Sequence, residues 1–331
     1  MKKFLSILLA LALVLSLGTV AFAADYDDHL DKGTSFSKEY VVANGTAPAE
    51  TFDFVVEYQH FTNGEGEPAT ATTHPTVTLG GAVFDSALSQ TGTADVSVTI
   101  TDYDNVELGK YTYKITEVVP DTKTAGTTYN SDPVYLVVTI LRDEDNSKHY
   151  VAAIHYETEG GIKTGKITNT YDAGQLSVTK QIEGNMADMD KKFEFTVVFT
   201  PAGGTEFDPS VQIANDSSST SRDYTATPNE DGTYTIKFEL GDEETATFTN
   251  IPVGTTYTVT ENADGYESTH TTEADGTITG GDNDEDVWTN TLTQPVDTGV
   301  FMDSLPYVLL LVGACAGLVV FFARRRMTHK G

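Results

Sequence analysis

Short runs rich in Val, Ile, Thr, Tyr and Phe alternate apolar with polar residues from Phe36 onward, with clusters of Gly, Asn, Asp and Pro between them. Residues two apart on a strand share a face, so each run predicts a strand with one side buried; almost no stretch repeats at helical period. The pattern predicts an all-β protein. Strands are expected at 51–58, 95–100, 110–117, 134–141, 150–157, 192–199, 233–240 and 256–262. Asp231-Gly232 and the stretch from Asp143 to Asn146 have turn composition, and NMADMD (185–190) allows one short helical turn.

The two ends of the 331-residue chain depart from this pattern. Residues 1–23 combine basic Lys2 and Lys3, an apolar run and the small-residue pattern Ala21-Phe22-Ala23, which predicts a secretory signal peptide. Pro306 to Ala323 is nearly uninterrupted apolar sequence followed by Arg324, Arg325, Arg326 and Lys330, which predicts a transmembrane helix held by a basic tail. Between the ends, residues 24–298 hold 14 basic and 48 acidic residues, a formal charge of −34. That field disfavours nucleic acid and anionic membrane surfaces as partners. The single cysteine, Cys315, lies in the apolar tail. The exported part therefore has no disulfide, the commonest covalent support of small extracellular β-domains, and no thiol nucleophile.

The chain also repeats itself. SFSKEYV, TFDFVVEY, YKITE and ITNTY follow one another up to Tyr171; LSVTKQI, KFEFTVVF, YTVTE and WTNTL do the same up to Leu292. The repeat predicts two tandem immunoglobulin-like β-sandwiches over residues 24–172 and 173–293, followed by a C-terminal segment, 294–331. The link Asp172-Ala173-Gly174-Gln175 is short enough to make a stiff rod of the two.

Three polar residues in each copy break the alternation. Lys38 lies between Phe36 and Tyr40, Glu117 follows Tyr113 and Ile115, and Asn169 lies between Ile167 and Tyr171. Lys180 shares a face with Leu176, Val178 and Ile182, Glu261 follows Tyr257 and Val259, and Asn290 lies between Trp288 and Leu292. An unpaired charge on an apolar face costs several kcal/mol. If the three meet in a core, desolvation lowers the lysine pKa and raises that of the glutamate, and the pair can become neutral. A neutral amine is a nucleophile, a protonated carboxyl polarises the asparagine carbonyl, and folding supplies proximity. The product is a Lys-Asn isopeptide bond with loss of ammonia, made by Glu117 or Glu261 as the catalytic acid. Closing a loop of about 130 residues in this way is worth on the order of 5 kcal/mol by the chain-entropy argument used for disulfides. The rival reading is a buried Lys-Glu ion pair in each copy, with the asparagine satisfying spare hydrogen bonds.

Before the apolar tail stands QPVDTGVFMDSLPYV (294–308), where Thr298-Gly299 has the position of a cell-wall sorting signal. With this signal, the leader, the two sandwiches and the repeated Lys, Glu and Asn, the chain resembles the major backbone pilins of Gram-positive, sortase-assembled pili, in particular the two-domain streptococcal T-antigen type. The resemblance implies isopeptides Lys38–Asn169 and Lys180–Asn290, and sortase cleavage between Thr298 and Gly299. It also implies transfer of Thr298 to a lysine of the next subunit, Lys163 or, alternatively, Lys166 in GGIKTGKITNT. The partners implied are a pilin sortase, further copies of the chain, tip and base pilins, and peptidoglycan, on a Gram-positive cell surface. PVDTG stands where LPxTG is usual, which leaves open which sortase reads it.

No GxSxG, phosphate loop or dinucleotide fingerprint occurs, which disfavours a conventional enzyme and a cofactor. The seven histidines are scattered, and GGDNDEDV (280–287) reads as a solvated acidic turn without the spacing of a calcium loop, so no metal is expected. The sequence thus favours a structural shaft subunit of a covalent pilus. The alternatives are a monomeric wall-anchored adhesin for a host or matrix ligand and a secreted enzyme of unrecognised type.

Overall fold

A computed structural model describes residues 34–143, 148–202, 210–214, 227–271, 274–295 and 305–328; side chains are described within these except at 210–214, 305–306 and 323–328. The signal peptide expected over 1–23 lies outside the described residues.

The protein is all-β, as its alternation predicts. The first twelve strands are β1 (Thr34–Val42), β2 (Glu50–Phe52), β3 (Phe54–Asn63), β4 (Pro68–Ala69), β5 (Thr76–Leu79), β6 (Ala82–Phe84), β7 (Gly92–Thr101), β8 (Gly109–Glu117), β9 (Thr127–Thr128), β10 (Val134–Arg142), β11 (His149–Glu157) and β12 (Lys166–Tyr171). They form a sheet of order β5-β7-β1-β12-β9, a facing sheet of order β11-β10-β8-β3-β4, and the small pair β2-β6. The second set is β13 (Ala173–Glu183), β14 (Phe193–Thr200), β15 (Ser210–Ala214), β16 (Thr227–Pro228), β17 (Tyr234–Leu240), β18 (Thr245–Pro252), β19 (Thr256–Glu261), β20 (Glu267–His270), β21 (Asp275–Thr277) and β22 (Asn283–Thr291). It builds sheets β15-β18-β13-β22-β20 and β16-β17-β14-β19-β21. In both sandwiches the first long strand pairs in parallel with the last, β1 with β12 and β13 with β22, while every other strand pairing among the described residues is antiparallel.

Each pair of sheets closes on its own apolar core. Phe36, Tyr40, Tyr111, Tyr113, Ile115 and Leu136 fill the first, and Val178, Phe195, Phe199, Phe238, Phe248 and Trp288 the second. The strand expected at 51–58 is broken at Asp53, and register slips between Tyr58 and His60, so Phe61 turns back into the core. NMADMD forms turns rather than a helical turn; the backbone N–H of Asp190 bonds the side chain of Asp188, a local bond that competes with helix.

The link between the sandwiches is shorter than the expected four residues. β12 ends at Tyr171 and β13 begins at Ala173, so Asp172 alone joins them. The Asp172 N–H donates to Gly126 O (3.0 Å) and its carbonyl accepts from Val253 N–H (3.1 Å). Its side chain accepts from Asn44 Nδ2 (2.8 Å). Asn250, itself in the left-handed region at φ 58°, accepts from Thr46 N–H (2.7 Å). Gly45 fits beside it because it has no Cβ: one would stand 2.5 Å from Asn250 Oδ1 and 2.8 Å from Ala173 Cβ, at φ +80°.

Helix α1 (Leu305–Thr328) follows, its described side chains exposed and mostly apolar. Among the described residues no helix is long and apolar enough to cross a membrane. The transmembrane helix expected over Pro306–Ala323 falls on α1 and is not borne out by this.

Gly45→Ala combines a left-handed backbone with a clash against the second sandwich. It should lower stability by about 1–2 kcal/mol, read as a shift of the denaturant midpoint, whereas Gly64→Ala, which has open space around its Cβ position, should shift it little.

Candidate functional site

The polar residues that break the alternation come together inside each sandwich. Lys38 pairs with Ile167 across the parallel ladder, which puts Asn169 two residues further along the neighbouring strand, on the same inward face. Lys180 pairs with Trp288, which gives Asn290 the same offset. The glutamate arrives from the facing sheet: Glu117 closes β8 and Glu261 closes β19. One sheet thus presents the amine and the amide, and the other lowers a carboxyl between them.

In the first site Lys38 Nζ donates to Glu117 Oε2 and Asn169 Nδ2 donates to Glu117 Oε1, both at 2.5 Å. The Lys38 and Glu117 side chains are wholly buried. In the second, Lys180 Nζ lies 3.1 Å from Glu261 Oε1, which also accepts from Asn290 Nδ2 at 2.9 Å. These two side chains are equally buried. Each amine sits over an aromatic ring, Lys38 4.5 Å from the centroid of Phe52 and Lys180 4.9 Å from that of Phe193. Burial pushes the Lys38 amine below its usual range against the pull of bonded Glu117 and nearby Glu50; burial likewise lowers Lys180 against Glu261 and Asp242.

Both carboxyls meet the nitrogen of the asparagine amide rather than its oxygen, which differs from the expected polarisation of the carbonyl by the acid. In the first site the Asn169 oxygen is turned away because the backbone N–H of Asn130 donates to Oδ1 at 2.8 Å. In the second, Asn290 Oδ1 is buried with no hydrogen-bond partner among the described residues, and Ser268 Oγ donates to Glu261 Oε2 at 2.7 Å.

Two of these groups were not legible as site residues. Every residue but proline has a backbone N–H, so nothing in the sequence marks Asn130. Ser268 is placed by the β20-β22 register, opposite Asn290. Asp286 carries a sequence signal of its own: it shares the parity of Trp288 and Asn290, is buried, and accepts from Trp288 Nε1 at 2.6 Å. GGDNDEDV is accordingly no acidic turn in its second half, since β22 begins at Asn283. Among the described residues no group of three or more His, Cys, Asp or Glu could hold a metal.

Thr298 and Gly299 lie outside the described residues. Lys163 is exposed beside exposed Ile162, and its backbone bridges to Glu157. Lys166 is tied to Glu39 Oε2 at 2.8 Å on the opposite face of the strand from Asn169.

Two immunoglobulin-like sandwiches in tandem, each with a dry Lys-Glu-Asn cluster bridging its sheets, define the class of protein to which this geometry belongs. A pilin of Streptococcus pyogenes serotype M1 is 27% identical over 307 residues, covering 87% of this chain and 88% of that one. The solved major pilin of Streptococcus pyogenes shares the fold at a TM-score of 0.53 and 21% identity, over 79% of this chain and 99% of that one. A variant of that pilin with a glutamate replaced by alanine superposes at 0.51 and 23% identity, over the same shares. Residues 174–292 match a family described as a domain of unknown function, DUF7601. The resemblance to major backbone pilins drawn from the sequence is thus met by a pilin relative along most of the chain and by the pilin fold.

If the pair is held by mutual burial, Lys38→Met in an Asn169→Ala background should cost about 3–5 kcal/mol by leaving the carboxylate unpaired, and adding Glu117→Leu should restore most of it. Denaturant unfolding of the three chains measures both steps.

Proposed function

We propose that the protein is the structural shaft subunit of a covalently polymerised cell-surface pilus, and that each sandwich closes its own Lys-Asn isopeptide bond. Lys38 joins Asn169 with Glu117 as the acid-base group, and Lys180 joins Asn290 with Glu261. The observation that carries this reading is the repetition of one geometry: amine and amide on adjacent parallel strands at the same offset, with a carboxyl from the opposite sheet touching both. A single buried ion pair needs no asparagine at a fixed offset, and its occurrence twice favours chemistry over packing.

The chain's residues supply what the reaction needs. Desolvation lowers the pKa of the amine, the carboxyl stands at hydrogen-bond distance to take its proton, and the same carboxyl faces the nitrogen that must leave as ammonia. Parallel strands hold the reactants without loss of further freedom. Nothing external is consumed, so the protein acts once on itself and is not an enzyme with turnover.

The assembly reading rests on the pilin relative and on the sequence around Thr298. A pilin sortase cuts between Thr298 and Gly299 and transfers the threonine to an amine of the next copy. Lys163 is the acceptor favoured here, since Lys166 is engaged by Glu39. The subunit would then work at the cell surface, joined to further copies, to tip and base pilins, and finally to peptidoglycan.

Intact mass should fall short of the mature sequence by two molecules of ammonia, and Glu117→Ala and Glu261→Ala should each restore one. Because the neutral amine attacks, bond formation should quicken as pH rises through the lowered lysine range and level off above it. A mass equal to the unmodified chain would falsify the cross-link. In wall extracts a ladder of denaturant-resistant multimers with Thr298 mapped to Lys163 is expected; a monomer alone would favour the wall-anchored adhesin.

A further inference from the structure

The two sites differ at the atom where charge develops. We propose that the backbone N–H of Asn130 is the oxyanion donor for the first cross-link, and that the second, lacking such a donor among the described residues, closes more slowly. The inference rests on the cross-link reading above and deepens it.

Attack of Lys38 Nζ on Asn169 Cγ forms the new C–N bond and drives the carbonyl π electrons onto Oδ1. The Asn130 N–H already points at that oxygen from 2.8 Å, within the range where an oxyanion donor acts. Glu117 holds the other end of the exchange: Oε2 receives the lysine proton and Oε1 faces Nδ2. When the electrons return from Oδ1, the Cγ–Nδ2 bond breaks and Nδ2 leaves as ammonia. The three hydrogens of the ammonium and the two of the amide end as one on the new amide, three on ammonia and one on Glu117.

Asn130 is held for this task. It lies between β9, paired to β12 at Thr170 and Tyr171, and β10. Its own side chain ties the turn, with Nδ2 donating to Asp132 O at 2.7 Å and Oδ1 accepting from Asp132 N–H at 3.3 Å. In the second sandwich the corresponding edge is β20, regular against β22 with Ser268 opposite Asn290. There the spare donor, Ser268 Oγ, serves the carboxyl instead of the amide oxygen, and Asn290 Oδ1 has no partner among the described residues. Glu261 also uses a single oxygen for both amine and amide, where Glu117 uses two.

The test is cell-free synthesis of the full chain, with acid quenching at intervals and mass analysis of the peptides joined through Lys38–Asn169 and Lys180–Asn290. Each clock is started when its sandwich becomes resistant to protease. In wild type the first bond should form about tenfold faster or more. Asn130→Pro, which removes the N–H, should slow the first bond by about 10²-fold and leave the second unchanged. Asn130→Ala, which keeps the N–H but removes the side-chain ties to Asp132, should slow the first bond less than Asn130→Pro does. If the proline variant fails to become protease-resistant in its first sandwich, the wild-type comparison decides alone. Equal rates in wild type, or a proline variant as fast as wild type, overturn the donor while leaving the cross-link intact. Absence of both bonds from wild type overturns the cross-link reading and this one with it.

Discussion

An ammonium with no access to water is the constraint around which each sandwich is arranged. Lys38 and Lys180 cannot stay charged and alone in a core of Phe, Tyr and Leu, so a carboxyl must reach them from the facing sheet. That fixes the end of β8 against β1 and the end of β19 against β13. Aromatic rings complete the seat. In the first sandwich Phe52, Phe84 and Tyr40 pack edge to face at 5.1 to 5.8 Å and keep solvent from the amine. The small β2-β6 pairing exists in this sandwich to carry two of those rings. In the second, Phe193 takes the same seat from the long strand β14.

Much of this was legible because a strand has period two. Parity alone placed Lys38, Glu117, Asn169, Lys180, Glu261 and Asn290 inside, and each is inside by its side chain. What parity cannot give is partnership: that Asn169 lies one offset along from Lys38 follows from a parallel pairing between strands some 130 residues apart, and no local signal announces it. Nor does parity resolve the ends of elements. Asp53 interrupts a run that reads as one strand, and the acidic stretch before Trp288 reads as a turn because charge suggests water, although Asp286 is buried on the indole nitrogen. The donor on Asn169 is invisible for a deeper reason, since it belongs to the main chain.

The repeat is therefore one of plan rather than of detail. The first sandwich spends its edge on a turn that meets the amide oxygen, and the second continues its edge as a strand and meets the carboxyl. Tyr129 and Tyr40 gather on Glu50 beside the first site, where the second has Asp242 on the Ile182 N–H at 2.7 Å. Copies that share a triad can thus differ in everything that tunes it.

The parallel pairing of first and last strand has a consequence in time. A polypeptide is made from its amino terminus, so β1 exists long before the strand that will lie beside it, and β13 likewise waits for β22. Neither core can shut on its lysine until its own final strand has appeared. Completion of a sandwich is in this sense a proofreading event: a chain cut short before Asn169 or Asn290 never acquires the neighbour that lets its opening strand settle, and it is left recognisably unfinished.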